Sequence, residues 1–305
     1  MANSATDQDS KQQLAAMSRD SETYEKQVLT KRLSIIGLLE AHSSVKLTFR
    51  DFLSSLSPLR VRYYSISSSP LHSPNTCTIT YNVLSIPSFS GPGHYAGICG
   101  TYLSSLLPGD PIKVSVRPSS KKLFHLPLDI KRTPLLMFCA GTGIAPFRGF
   151  IQQRAMQAAA SPDRKLAPAI LFVGCRSSTS DRLYAQEFDK WEDLGVVDIR
   201  YSFSRDSDSS RSERETVRIG QGYKYVQERM LADIDKKDIL RLWDEGARVY
   251  VCGGGAFVKE VGRAAREIVK ERLREKGEKI EGREEELEER FKTGLVDRCA
   301  TDIFG

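Results

Sequence analysis

The period on which apolar residues recur changes at Arg60, and again after Lys131. Before the first change, Tyr24–Glu40 carries Val28, Leu29, Leu33, Ile36 and Leu39 at helical spacing. Thr48–Leu56 comes next as a second short helix, ended by Ser57-Pro58. Both read as a cap docked on the β-rich region C-terminal to them. Residues 1–22 are polar, rich in Ser, Asp and Gln and without periodicity, and read as a disordered tail. From Arg60, the runs Val61–Ile66, Cys77–Leu84 and Ile112–Val116 read as strands joined by Ser/Pro/Gly-rich connections. That pattern predicts antiparallel β structure, part of a barrel.

After Lys131 strand and helix alternate. Strands Leu135–Phe138, Ala169–Gly174, Val196–Phe203 and Arg248–Cys252 lead in turn to helices Ala145–Ala160, Leu183–Leu194, Tyr225–Glu245 and Ala256–Lys276. The alternation predicts a doubly wound parallel sheet, whose ligands lie outside the carboxyl ends of the strands. The boundary falls near Leu126–Lys131, giving a β-rich region over 23–130 and an α/β region over 131–305. Residues 206–222, with Arg211, Arg214 and Arg218, are polar, aperiodic and longer than an ordinary strand–helix loop, and read as an exposed insertion. A highly charged helix, Arg283–Lys292, precedes the closing segment Cys299–Gly305.

Thr133–Arg148, TPLLMFCAGTGIAPFR, is the centre of this plan. A run buried on both faces meets Ala140-Gly141-Thr142-Gly143, and a helix opens at Ala145-Pro146, where proline gives up an amide that would be unsatisfied anyway. Such a turn aims N–H groups and a helix dipole at one point and suits a pyrophosphate; an ordinary tight strand–helix turn has the same look. No Lys-Ser/Thr comes after the last glycine, which excludes a P-loop.

Composition narrows the field. The chain of 305 residues is long enough for two cores, and its 28% charged and 9% aromatic residues are ordinary for a soluble globular protein. A net charge of +6 fits an anionic ligand or a solvated mixed surface, while alternation of basic with acidic residues argues against nucleic acid. The six cysteines form no CxxC pair and no metal-ligand spacing with the four histidines, so reduced cytoplasmic thiols are expected and no metal. No apolar run reaches membrane-spanning length and the N-terminus has no signal-peptide core.

Several short segments then occur in one order: Arg62-Tyr63-Tyr64-Ser65, Gly97-Ile98-Cys99-Gly100, Gly141-Thr142-Gly143-Ile144-Ala145-Pro146, Gly174-Cys175-Arg176, Ser204-Arg205, Tyr225-Val226-Gln227, Cys252-Gly253 and Asp302-Ile303-Phe304. As an ordered set over roughly residues 24–305 they resemble the FAD/NADPH half of the diflavin reductases, in the ferredoxin–NADP reductase superfamily. The flanking RYYSISSSP, APFRGF and Leu183–Phe188 resemble in particular NADPH–cytochrome P-450 reductase, and within it the reductase part of self-sufficient haem monooxygenase fusions. The fold this implies is a partial antiparallel FAD-binding barrel with a helical connecting remnant, succeeded by a doubly wound NADP-binding domain.

The resemblance implies FAD and NADPH as cofactors, and a role for each matching residue. Arg62 would fork onto the FAD pyrophosphate, Tyr64 with Tyr63 beside it would stack on the isoalloxazine, and Ser65 would put a hydroxyl near flavin N5. Gly97, Ile98, Cys99 and Gly100 match a second pyrophosphate turn. The family usually has Ser or Thr where Gly100 stands, and Thr101 is the neighbour that could replace that hydroxyl. Gly141, Thr142 and Gly143 would hold the NADPH pyrophosphate. Arg176, Ser204, Arg205, Tyr225 and Gln227 match the 2′-phosphate pocket, with Lys224 displaced by one place because Tyr223 stands at the family's lysine position. Cys252 would sit beside the nicotinamide and assist hydride transfer with Ser65 and Asp302, and Gly254 replaces an acidic residue after it. Phe304, where the family usually has Trp, would cover the flavin and swing aside.

On this resemblance, electrons pass from FAD through an FMN-containing flavodoxin-like module to a haem protein. Neither module has a counterpart in this sequence, and the first barrel strands have none either, so an incomplete FAD-binding domain is expected. A sulfite-reductase- or nitric-oxide-synthase-type acceptor is the alternative on the same fold. A truncated module that docks through Tyr24–Leu56 without catalysis is the alternative of another class.

Overall fold

The computed structural model describes residues 1–91, 93–118, 124–160, 165–206, 222–278, 282–283, 285–286, 289, 294 and 297–304. Arg211, Arg214 and Arg218 of the expected insertion, most of the expected helix Arg283–Lys292, and Gly305 lie outside them. The chain divides into two compact units, Met1–Tyr63 with Asn82–Ile112, and Tyr64–Tyr81 with Lys113–Gly305.

In the first unit the polar N-terminal segment is not a disordered tail. Residues Gln8–Arg19 form helix α1, because Asp7 caps it by accepting the Ser10 amide at 2.7 Å and because Ala5 and Leu14 are buried. One buried leucine in a polar helix is too sparse a signal for a periodicity reading. The single helix expected over Tyr24–Glu40 is broken. Helix α2 (Ser21–Tyr24) runs into a π-turn over Glu25–Leu29, the backbone turns left-handed at Arg32 (φ 49°), and Ser34 caps a new helix, α3 (Ile35–Ala41). Helix α4 (Phe49–Ser55) forms as its sequence predicts, capped by the Thr48 hydroxyl on the Asp51 amide.

The antiparallel β structure is small. Strands β1 (Ser85–Pro87) and β2 (His94–Ala96) pair, and helix α5 (Ile98–Ser105) comes after them. The runs expected as strands over Val61–Ile66, Cys77–Leu84 and Ile112–Val116 form no strand. Their ladder is reduced to one antiparallel bridge, Ile66 to Ile79. Alternation marks a strand only where a neighbour completes it, and Val61, Tyr63, Val114 and Val116 are each at least 69% exposed.

The second unit carries the parallel sheet. Strand β3 (Leu135–Ala140) is succeeded by helix α6 (Ala145–Ala159), β4 (Ala169–Cys175), α7 (Ala185–Asp193), β5 (Asp198–Phe203), α8 (Val226–Met230), α9 (Asp233–Asp244), β6 (Arg248–Gly254), α10 (Gly255–Glu275) and β7 (Cys299–Phe304). The strand order is β5-β4-β3-β6-β7, all parallel. Alternate residues of the strands feed two cores. Leu135, Met137, Cys139, Leu171, Val173, Tyr250 and Cys252 pack with Phe147, Ile151, Phe188 and Trp191 on one face. Leu136, Phe138, Ile170, Phe172 and Val251 pack with Met230, Leu242, Val261 and Ile268 on the other. Strands read as continuous apolar runs because both faces are covered. The order reverses between β3 and β6, so the crevice that such a sheet offers lies at their carboxyl ends. Among the described residues no helix is long and apolar enough to cross a membrane.

The α1 cap gives a pH signature. The Ser10 amide, the largest influence, lowers the Asp7 carboxyl from its ordinary 3.8 to about 2. A depressed carboxyl stabilises above 3.8 and loses that contribution as pH falls through about 2. Helical signal from α1 should therefore fray on acid titration with a midpoint near 2, and Asp7→Asn, which still caps, should remove that step; an unchanged acid limb in the variant would sink the assignment.

Candidate functional site at the carboxyl rim of the sheet

β3 ends in a turn that favours glycine. Gly141 is left-handed at φ 55°, and Gly141–Ile144 wind as a 3₁₀ turn into α6, which has proline in its first turn. A Cβ on Gly143 would stand 2.2 Å from the Cys252 carbonyl oxygen and 2.9 Å from its carbon. The turn therefore lies directly on the end of β6, with Thr142 half-buried between the two glycines. Successive amides at the start of a fifteen-residue helix, at the point where the strand order reverses, are the donor set that a dinucleotide pyrophosphate takes. The residues present fit that group.

Beside the turn, four candidate residues come together. Cys252, 1% exposed, has Cys139 as its register partner on β3 and Asp302 as its partner on β7. The Ser65 hydroxyl donates to Asp302 Oδ2 at 2.7 Å across 237 positions of sequence. Phe304, opposite Gly254 and 40% exposed, shares the Asp302 face of β7 by alternation. Burial pushes the Cys139 thiol well above its ordinary range, with Cys252 and Cys175 adding to it, and pushes Cys175 up to about 12. Both remain protonated at neutral pH.

Arg176 and Arg205 lie side by side past the ends of β4 and β5. The Ser204 amide donates to the Cys175 carbonyl at 3.0 Å and the Arg205 amide to the Arg176 carbonyl at 2.8 Å, extending the ladder beyond the strands. Arg176, Ser204 and Arg205 are thus held side by side, with the Arg176 amide fixed on Asp181. Glu228 accepts the amides of Lys224 and Tyr225 at 3.0 and 3.2 Å, and Tyr225 caps α8, whose first turn carries Gln227. Phe203 donates to the Tyr223 carbonyl, which ties this segment to the end of β5.

The flavin candidates fall in both units. Tyr64 and Ser65 belong to the second, where Tyr64 meets Tyr81 edge-on at 6.3 Å between ring centroids. Arg62 and Tyr63 belong to the first and are exposed. Gly97-Ile98-Cys99-Gly100 is not a loop but the cap and first turn of α5, with the Thr101 amide donating to the Gly97 carbonyl. A Cβ on Gly100 would meet the Asn82 carbonyl oxygen at 2.8 Å, which favours glycine at this position.

Sequence reasoning missed Arg148, Gln152, Tyr184 and Glu187, which tie the Tyr64–Tyr81 segment to α6 and α7. The i, i+4 spacing of Arg148 and Gln152 was the available signal, since it puts both on one face of α6. Among the described residues no cluster of His, Cys, Asp and Glu could hold a metal ion.

A glycine turn at the point where the strand order of a parallel sheet reverses defines a dinucleotide-binding module. The family model described as FAD binding domain matches residues 1–102, and the one described as oxidoreductase NAD-binding domain matches residues 137–263. The chain belongs to the diflavin-reductase family of the ferredoxin–NADP reductase superfamily, as the FAD/NADP-binding half. It is 42% identical over 307 residues to a bifunctional cytochrome P450/NADPH–P450 reductase of Fusarium oxysporum, which covers 100% of this chain and 27% of that protein. The self-sufficient cytochrome P450 monooxygenase CYP505AG1 of Oidiodendron maius is 45% identical over 246 residues, 81% of this chain and 22% of its own. The bifunctional cytochrome P450/NADPH–P450 reductase ascE of Acremonium egyptiacum is 39% identical over 292 residues, 95% and 25% respectively. The chain spans about a quarter of the length of these relatives.

Gly143→Ala should force the turn off the end of β6. The expected result is a loss of about 1–3 kcal/mol in urea unfolding, from overpacking against backbone, together with weakened NADP⁺ binding by calorimetry. Unchanged stability and binding would show that the turn does not depend on this approach.

Proposed function

We propose that the chain takes hydride from NADPH onto bound FAD and passes electrons on, through an FMN-containing module, to a haem protein. It would thus work as an NADPH–hemoprotein reductase segment. The observation that carries this reading is the Ser65–Asp302 hydrogen bond beside Cys252, at the rim where the glycine turn ends. When bound, the two dinucleotides supply the redox chemistry, and the protein supplies position and electrostatics.

In this reading Gly141, Thr142 and Gly143 orient the NADPH pyrophosphate. Arg176, Ser204, Arg205, Lys224 and Tyr225 supply the cations and hydroxyls that select a 2′-phosphate. Arg62, Tyr63, Tyr64 and the first turn of α5 hold FAD. Ser65 keeps its proton directed at Asp302 Oδ2, which leaves the hydroxyl lone pairs to face the flavin edge. Cys252, buried under the turn, keeps water from the reacting atoms. Phe304 would cover the flavin face and swing aside for nicotinamide. Cys77, Cys99, Cys139, Cys175, Cys252 and Cys299 are thiols rather than disulfides, which accords with a cytoplasmic setting.

The test is anaerobic mixing of the FAD-loaded chain with NADPH. Loss of the flavin absorbance band is expected, and bound FAD that NADPH does not reduce would overturn the reading. Ser65→Ala should slow that reduction about 10- to 100-fold, the worth of one lost hydrogen bond to a charged group, without changing FAD content. In the same assay Phe304→Trp should raise the NADPH over NADH preference, since a larger ring covers the flavin more strongly against the less tightly held dinucleotide. A preference that falls would refute that role.

A further inference from the structure

Ser65 lies at one end of a short hairpin, and the hairpin has almost nothing apolar with which to hold itself. Its bridge pairs Ile66 with Ile79, yet Ile66 is 40% exposed and Leu71 50% exposed. What fixes it is a set of polar bonds to α6 and α7, centred on Arg148. That guanidinium forks onto Glu187, Nε to Oε2 at 2.7 Å and Nη2 to Oε1 at 2.8 Å. Its remaining nitrogen, Nη1, donates to the Ser67 carbonyl at 2.8 Å and to Thr78 Oγ1 at 3.2 Å, one contact on each limb of the hairpin. The Tyr184 ring lies under the guanidinium at 4.4 Å, and the Tyr184 hydroxyl meets Thr80 Oγ1 at 2.7 Å. One turn further along α6, Gln152 Oε1 accepts the Ser69 amide at 2.8 Å.

We infer that Arg148 is a positioning residue for Ser65. Resting on the hydride-transfer reading, it acts through the Ser67 carbonyl, two residues from the hydroxyl that donates to Asp302. Geometry favours Arg148 over its neighbours for this task. Only a planar fork serves a carboxylate bidentately and still keeps a third nitrogen for the hairpin; a lysine ammonium could not span Glu187, Ser67 and Thr78 together. The carboxylate orients the fork, the tyrosine ring sets its plane, and Nη1 is left pointing at the hairpin. Tyr184 takes a left-handed backbone (φ 58°) at the start of α7, a conformation that a bulky residue adopts only when its surroundings impose it. Ser65 is thereby pinned from two directions, by Asp302 on β7 and by α6 through Arg148.

The experiment compares the full chain with Arg148→Ala, Arg148→Lys and Glu187→Gln, each alone and combined with Ser65→Ala. Hydrogen exchange of the Ser67, Ser69 and Thr78 amides is read first, on protein without NADPH. Exchange there should rise about tenfold or more, as local opening does when its restraining bonds go, while β3 amides hold. Single-turnover flavin reduction should fall about 10- to 100-fold for Arg148→Ala, the cost of a misplaced group, with NADPH affinity unchanged and little rescue by Arg148→Lys. On the Ser65→Ala background Arg148→Ala should cost no more than about twofold, because its effect runs through Ser65. An equal loss on both backgrounds, or hairpin exchange that does not move, would overturn the inference. If Arg148→Ala does not fold, Glu187→Gln, which leaves the guanidinium in place without its orienting charge, is read on the same criteria. Failure of the unsubstituted chain to be reduced would sink the hydride-transfer reading, and the positioning contact would then be judged on amide exchange alone.

Discussion

The close approach of Gly143 to the Cys252 carbonyl is the constraint on which the rest of the rim depends. At the reversal of strand order, the chain leaving β3 must turn at once into α6 while the end of β6 occupies the same space. A side chain at Gly143 would push the turn outward and with it the first amides of the helix. Because the turn rests on β6, the amides and the Cys252 thiol share one neighbourhood. Because β6 and β7 are in register from Val249 with Cys299 to Gly254 with Phe304, Asp302 and Phe304 inherit the same placement. Backbone contact sets the distances among the turn, Cys252, Asp302 and Phe304.

β7 is one of the two edge strands of the sheet, and it is held at both ends. At its start Arg298 donates to the Trp243 and Ala247 carbonyls at the C-terminal end of α9 and stacks 3.8 Å over the Trp243 ring. Burial lowers its pKa, but the carbonyl end of the helix is where a cation is favoured. Toward its far end, Asp302 accepts from Ser65. An edge strand so anchored can leave Phe304 partly exposed at its tip without fraying into the site.

The parallel sheet was legible because most of its strands are short apolar runs bounded by turn residues, while α7, α9 and α10 are longer and amphipathic, so length and periodicity together separate them. Expected strand Leu135–Phe138 differs from β3 only by two residues at its end, and helix Tyr225–Glu245 only by the break between α8 and α9. The N-terminal half was read less well, for a different reason. Helix α1 rests on a cap and one buried leucine, and the kink at Arg32 on a single left-handed residue, neither of which alters apolar spacing. The runs read as barrel strands have the right alternation, but alternation is a statement about a missing neighbour as much as about the strand. At the rim, Ser65, Cys252 and Asp302 could be named from their order in the chain. Arg148 could not, because its partners Ser67, Thr78 and Glu187 lie 81, 70 and 39 positions away and no spacing in the sequence pairs them with it.

Sequence and space divide this chain at different points. The matched FAD-binding domain runs through residue 102, yet Tyr64–Tyr81 packs with the parallel sheet. A hairpin made of serines, threonines and prolines buries too little apolar surface to choose its own position. It takes that position from α6, the helix whose N-terminus carries the glycine turn. The residue nearest the flavin in the proposed reaction and the turn nearest the pyrophosphate of NADPH are therefore referred to one rigid helix. In the proposed reaction, hydride transfer tolerates little error in the separation of donor and acceptor, and attachment of both to α6 restricts that error.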